Sequence, residues 1–161
     1  MNYVKEYLKA IHDGTEVVGV KIKALYEREC AWMDNPPFEW HFDEVIGEKP
    51  IKFIEKFCRH SKGRWAGKTI KLELFQKAAI QLAYGWVDTN NKRRFREVVF
   101  LIARKCGKST LTSGLSLFML MADGEAGAEG YTGLHSILVR FLGYSHVFCD
   151  LLVCKVIDIF M

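Results

Sequence analysis

A lysine that follows glycine and precedes serine or threonine, placed where a strand gives way to a helix, is suited to holding phosphate. The chain carries two such triplets, Gly107-Lys108-Ser109 and Gly67-Lys68-Thr69. The first is preceded by Arg-Glu-Val-Val-Phe-Leu-Ile-Ala at residues 96–103, a β-branched and aromatic run of the kind that forms a buried parallel strand. It is followed over residues 109–121 by Leu111, Leu115, Phe118, and Leu120 or Met121 at helical spacing. In that setting backbone N–H groups and the positive end of the helix face the phosphates. Lys108 supplies a point charge, Gly107 lets the backbone approach, and Ser109 is the expected Mg²⁺ ligand. The generic pattern G-x-x-x-x-G-K-[ST] is met except at its first glycine, where Ile102 stands. The second triplet has the wrong surroundings. Gly63 is one residue too close, a polar loop precedes it, and residues 70–74 do not open a helix cleanly.

The elements that must position this loop belong to a chain of 161 residues, half of them apolar and 26% charged. That is one domain's worth of sequence, long enough to bury a core without disulfides or a structural metal. Disorder, collagen and low-complexity polymers are excluded. The net charge of +4 permits a nucleic-acid partner without proving one. The five cysteines, Cys30, Cys58, Cys106, Cys149 and Cys154, form no CxxC pair and have no histidine at metal spacing. The first residues carry Lys5, Glu6 and Lys9 and no apolar stretch of a secretory signal, so a reducing cytoplasm is expected.

Along the chain, apolar spacing predicts helices over residues 3–11 (Val4, Leu8, Ile11) and 17–28 (Val18, Ile22, Leu25), separated at Gly14. Asn35-Pro36-Pro37 is a stop and Asp43 a helix start. Pro50 sits early in a further helix over residues 51–58, with Phe53, Ile54 and Phe57 on one face. Residues 60–68 form a basic, glycine-punctuated loop. A helix follows over residues 75–84, then a turn at residues 88–91, and Lys92, Arg93, Arg94 and Arg96 make a charged turn with DNA contact as its alternative. From residue 131 the composition changes: only Arg140, Lys155, Asp150 and Asp158 are charged, and the rest is strongly apolar. The longest charge-free stretch there is too short for a membrane span. A buried helix or strand, or a tail that never packs, remains.

Residues 95–110, Phe-Arg-Glu-Val-Val-Phe-Leu-Ile-Ala-Arg-Lys-Cys-Gly-Lys-Ser-Thr, resemble the large terminase subunit of tailed bacteriophages, the ATPase that packages DNA into the capsid. That family has an Ala-Arg-Lys-x-Gly-Lys-Ser loop without the first glycine. Other segments agree in order: Phe-Ile-Glu-Lys-Phe-Cys at 53–58, Gly-Arg-Trp-Ala-Gly-Lys at 63–68, Leu-Glu-Leu-Phe-Gln at 72–76, and Tyr84-Gly85-Trp86. The resemblance runs over residues 1–130. It implies that ATP and Mg²⁺ bind through Arg104, Lys105, Cys106, Gly107, Lys108, Ser109 and Thr110, with Arg104 approaching the γ-phosphate as a catalytic group; the alternatives are a solvated Arg104 that closes the strand, and for Lys105 a peripheral phosphate or DNA contact or a solvated side chain. It also implies that Gln76 reads adenine, where the alternative is a helix-start glutamine. Leu74-Phe75 precede this glutamine in place of the family's usual Pro-Trp.

Hydrolysis needs an acidic partner, an apolar strand ending in Asp-Glu, and no run here ends so. His146-Val-Phe-Cys-Asp150 is the nearest imitation, with Leu151 in the glutamate's place. Residues 131–161 do not resemble the family's continuation into a nuclease domain. The expectation is therefore an α/β, partial P-loop NTPase fold of the RecA-like ATPase type. Its parts are a helical N-terminal region (1–60), the front of the ATPase domain (61–130), and a divergent apolar tail (131–161) from truncation or a frameshift. The chain is expected to bind nucleotide at most, in the cytoplasm of a bacterial host, as a phage or prophage product. The resemblance implies double-stranded DNA, a portal protein and a small terminase subunit as partners, a homo-oligomer in the full-length protein, and no membrane. The alternatives are a non-catalytic module docking to those partners and a small P-loop kinase or NTPase.

Overall fold

The computed structural model describes residues 1–37, 39–60, 63–103, 106–124, 128–132, 136–141 and 148–152, with side chains described through residue 124. It divides into two units, Met1–Phe95 and Arg96–Met161.

The first unit is helical. Helix α1 (Tyr3–His12) starts at Asn2, whose side chain accepts from the N–H of Lys5, and ends before Gly14, which has a left-handed φ of +74°. Helix α2 spans Val20–Asp34, later and longer than its apolar spacing predicts. Its buried face is Tyr26, Glu29 and Cys30, whereas Ile22 is exposed. The stripe chosen by tertiary contact includes a carboxylate that hydropathy assigns to solvent. That carboxylate, Glu29, accepts from Arg28 at 2.9 Å and from Arg94 at 3.2 Å. Arg94 also lies 5.2 Å from the Trp32 ring centroid and 5.4 Å from that of Trp86. The expected charged turn thus sends one arginine inward, because the buried acid and the aromatic faces hold its guanidinium.

Strand β1 (His41–Phe42) leads into helix α3 (Glu44–Phe57), whose Asp43 cap accepts from the N–H groups of Val45 and Ile46. Pro50 lies inside this helix instead of near the start of a later one. Its missing N–H costs one helical bond, offset by burial of Pro50 with Ile51 and Ile54 on the same face. Phe57, expected on that face, is exposed and pairs with Phe53 at 5.3 Å between ring centroids.

Helix α4 (Leu74–Gly85) runs into strand β2 (Trp86–Val87), antiparallel to β1. α4 is approached closely at two glycines, by α3 at Gly47 and by Phe42 of β1 at Gly85. A Cβ on Gly47 would lie 2.8 Å from Gln81 Cγ, and one on Gly85 would lie 2.6 Å from the Phe42 ring. α1 packs on α2 and α4, and the core joins Val4, Tyr7, Ile11, Tyr26, Cys30, Ala78, Leu82 and Trp86. Fully buried Gln81 stitches the chain start to α4. Its Oε1 accepts from the N–H of Tyr3 at 2.7 Å, and its Nε2 donates to the Met1 carbonyl at 2.8 Å.

The second unit opens with residues 96–103, which do not form the expected parallel strand; residues 97–103 have no ladder partner among the described residues. Their exposure alternates, with Val99 and Leu101 outward and Val98, Phe100 and Ile102 half-buried. β-branched residues favour an extended backbone, but a strand needs a neighbour to exchange hydrogen bonds with. Helix α5 (Lys108–Met121) follows and packs beside strand β3 (Ala128–Thr132). Strands β3, β4 (Ser136–Phe141) and β5 (Phe148–Leu152) make an antiparallel meander. Of the alternatives left open for the apolar tail, strand is what its described part adopts. The fold is thus a mixture of helices and small sheets. No helix among the described residues is long and apolar enough to cross a membrane.

Candidate functional site

The start of α5 is built by one glycine and one lysine. Gly107 caps the helix at φ +74°, ψ +14°, a left-handed conformation that only glycine adopts without cost. Having no side chain, Gly107 itself caps none of the first-turn N–H groups, and a helix start whose N–H groups lack a side-chain cap is suited to anion binding. Lys108, half-buried in the first turn, folds back so that its Nζ donates to the carbonyl of Ile102 at 2.8 Å. The Lys108 side chain is thus tied to the backbone of Ile102, the residue that occupies the position where the generic motif has glycine. Thr112 Oγ1 donates to the Lys108 carbonyl at 2.9 Å, and Leu111 N–H donates to that of Gly107 at 2.9 Å. These bonds hold the first turn in register. Cys106 and Ser109 are exposed and Thr110 is half-buried. Arg104 and Lys105, the expected catalytic and accessory cations, lie outside the described residues.

Gln76 belongs to the other unit and is already employed there. It is buried, its Oε1 accepts from the N–H of Glu73 at 3.0 Å, and the Glu73 side chain accepts in return from the backbone of Gln76. This reciprocal capping box satisfies two donors at the start of α4. An adenine contact by this amide would have to share an oxygen that the helix start uses. The helix-start reading of Gln76 has direct geometric support.

The second triplet sits in a different frame. Arg59 pairs with Thr69 as an isolated bridge, and Lys68 Nζ lies 4.7 Å from the Trp65 ring centroid. No helix starts at Lys68.

The cysteines separate by burial. Burial pushes the Cys30 thiol up to about 11 and raises that of Cys58, so neither offers a thiolate near neutral pH. No group of three His, Cys, Asp or Glu side chains able to hold a metal ion occurs among the described residues. Asp150 falls in β5, and its side chain is outside the described set.

The family model for the terminase large subunit, ATPase domain, matches residues 74–134. The large terminase subunit of Enterobacteria phage HK97 is 36% identical over 75 residues. The resemblance to the large terminase subunit is borne out. The aligned stretch covers 47% of this chain but 14% of that relative's length. No solved structure matches the chain. The terminase-like stretch found by the family model opens at Leu74, the first residue of α4, and includes the whole of α5 with its glycine cap and lysine. It ends just past the compositional change at residue 131.

Sequence reasoning missed three polar positions that organise these elements. Gln81 had a visible signal: it falls with Ala78, Leu82 and Gly85 at the spacing of one helix face, a polar residue on an apolar stripe. Glu29 and Arg94 had none, because their partnership spans 65 residues. The Ile102 carbonyl is a backbone acceptor, which no side-chain pattern marks.

Proposed function

We propose that this chain binds ATP with Mg²⁺ through residues 102–110, as part of a P-loop, RecA-like ATPase that drives viral DNA packaging. The observation that carries the reading is the Lys108–Ile102 contact: an ammonium parked 2.8 Å from a carbonyl of its own loop, at a glycine-capped helix start. A phosphate oxygen is a stronger acceptor for that ammonium than a neutral carbonyl. The residues present therefore fit a nucleotide's phosphates. Lys108 and the first-turn N–H groups of Ser109 and Thr110 would hold the β- and γ-phosphates. Ser109 would contribute its hydroxyl to Mg²⁺, which supplies charge neutralisation when bound. Arg104 is assigned to the γ-phosphate, with Lys105 and Cys106 completing the loop, and Gln76 to the adenine edge.

The match to a large terminase subunit supports double-stranded DNA, a portal protein and a small terminase subunit as partners, in a homo-oligomer within the host cytoplasm. Isothermal titration of ATP·Mg²⁺ tests the nucleotide assignment. Lys108→Ala should weaken binding by about 1.5–3 kcal/mol, the range for a hydrogen bond to a charged group. Unchanged affinity would overturn the assignment. No turnover of ATP by this chain alone is expected, since no apolar run ends in the Asp-Glu pair that would orient water.

A further inference from the structure

The positive excess of this chain is concentrated in one segment that nucleotide binding does not use. Residues 56–71 hold six basic side chains and no acidic one, whereas everything else holds 17 basic against 19 acidic, a net of −2. The described cations of this segment, Lys56, Arg59, Arg64, Lys68 and Lys71, are all exposed. Ion pairs account for other cations of the same unit: Lys5 with Asp34, Arg28 and Arg94 with Glu29, Lys52 with Glu48, Lys77 with Glu55. None joins these five to a carboxylate among the described residues. The two acids that flank the segment are committed elsewhere. Glu55 holds Lys77 and accepts from the N–H of Leu72, and Glu73 caps α4.

Its described residues are also held in shape. The Ile70 N–H donates to the Cys58 carbonyl at 3.2 Å, that of His60 to Lys68 at 3.0 Å, and that of Gly67 to His60 at 2.8 Å. Arg59 braces the turn from its side chain, donating to the Gly67 carbonyl at 3.2 Å. At its tip Trp65 is 49% exposed, and two cations lie against its ring, Arg64 at 5.2 Å and Lys68 at 4.7 Å from the centroid. Both charges are therefore within about 10 Å of each other, a span that includes several phosphates of a duplex at one charge per about 1.7 Å of axis. Cation–π contact with the indole holds both charges beside one ring.

Resting on the reading of double-stranded DNA as a partner, we propose that the end of α3 at Lys56 and the loop residues 58–60 and 63–71, with Arg64 and Lys68 beside Trp65, are a contact surface for the phosphate backbone of the duplex. It lies outside the phosphate loop and acts without nucleotide. The observations favour this polyanion over an acidic peptide because the charge is dense, of one sign and mounted on a braced turn. The contact is with backbone, so it carries no sequence preference.

Fluorescence anisotropy of a labelled 30-base-pair duplex against the full chain, in a salt series from 50 to 200 mM without nucleotide, tests the proposal. Arg64→Gln with Lys68→Gln should weaken binding at 50 mM salt about tenfold and flatten the log–log salt slope by about 2, near 0.9 per lost phosphate contact. The charge-matched control, Lys9→Gln with Lys49→Gln, removes two exposed cations outside residues 56–71 of the same unit and should change affinity less than about twofold, as expected if Arg64 and Lys68 make the phosphate contacts. Lys108→Ala should leave duplex binding unchanged, which separates failure of this surface from failure of the nucleotide assignment. Unchanged circular dichroism and melting temperature confirm that each variant folds. Equal losses in both double variants, tighter binding of the single strand than of the duplex, equal binding of a labelled poly-glutamate peptide, or no duplex binding by the unmodified chain would each overturn the proposal.

Discussion

Two loops in this molecule contain the same three residue types in the same order, and both place their glycine in the left-handed region, Gly67 at φ +79° and Gly107 at φ +74°. Locally they begin alike and then diverge. After Gly107 the backbone enters α5, and the Lys108 side chain turns back to the carbonyl of Ile102. After Gly67 no helix follows: the chain bends at Lys68, Thr69 bridges to Arg59, and Lys68 lies against an indole. A glycine with a positive φ followed by lysine makes a turn. What converts the turn into a phosphate cradle is the helix that follows, because only a helix start leaves a set of parallel N–H donors without acceptors.

The largest effect that would break this comparison is an exchange of phenotypes between the lysines. In an ATP titration Lys68→Ala should be indistinguishable from the unmodified chain, while Lys108→Ala loses about 10- to 150-fold, the equivalent of 1.5–3 kcal/mol. Equal losses would mean that helix context does not discriminate the triplets.

A smaller effect probes what the loops share. Gly67→Ala places a Cβ where nothing lies within 4 Å, so its cost is purely conformational, about 1–2 kcal/mol for holding alanine at a left-handed φ. Denaturant unfolding should show that loss of stability with no change in nucleotide affinity. Gly107→Ala should weaken ATP as well, since the same strain displaces the cradle. A Gly67→Ala chain of unchanged stability would show that this turn relaxes freely and that the two glycines are not equivalent.

The smallest effect concerns Gln76, whose side chain closes the capping box at the start of α4. Gln76→Ala should lower stability by about 0.5–1 kcal/mol through loss of the cap. If the amide also reads adenine, ATP weakens and GTP does not, which a paired titration resolves. Parallel behaviour of both nucleotides would leave Gln76 as a helix start alone.

Much of the helical framework was legible from local pattern. Val4 and Ile11 mark the buried face of α1, Asp43 caps α3 as its position predicts, and α4 and α5 begin within one residue of the expected places. Each of these depends on hydrogen bonds and side-chain contacts between residues three or four apart, so the information is written consecutively in the chain. The same holds for the turn at Asp88, whose Oδ1 accepts from the N–H groups of Asn90 and Lys92.

Tertiary structure decided the rest. Residues 96–103 have the composition of a buried strand, yet a ladder needs a partner that composition cannot supply, and here the described chain forms none for residues 97–103. Pro50 reads as a helix boundary, but α3 runs continuously through it with the proline ring buried. Glu29, Gln81 and Arg94 read as surface residues. They are drawn inward because partners 65 to 80 residues away satisfy their hydrogen bonds, and a buried polar group is stable only where such partners converge. Sequence alone determined which turns and helices this chain can form and which lysine precedes a helix. Only the folded arrangement determined which polar side chains are paid for by distant partners and which cations are left facing solvent, because those outcomes depend on contacts between residues far apart in the chain.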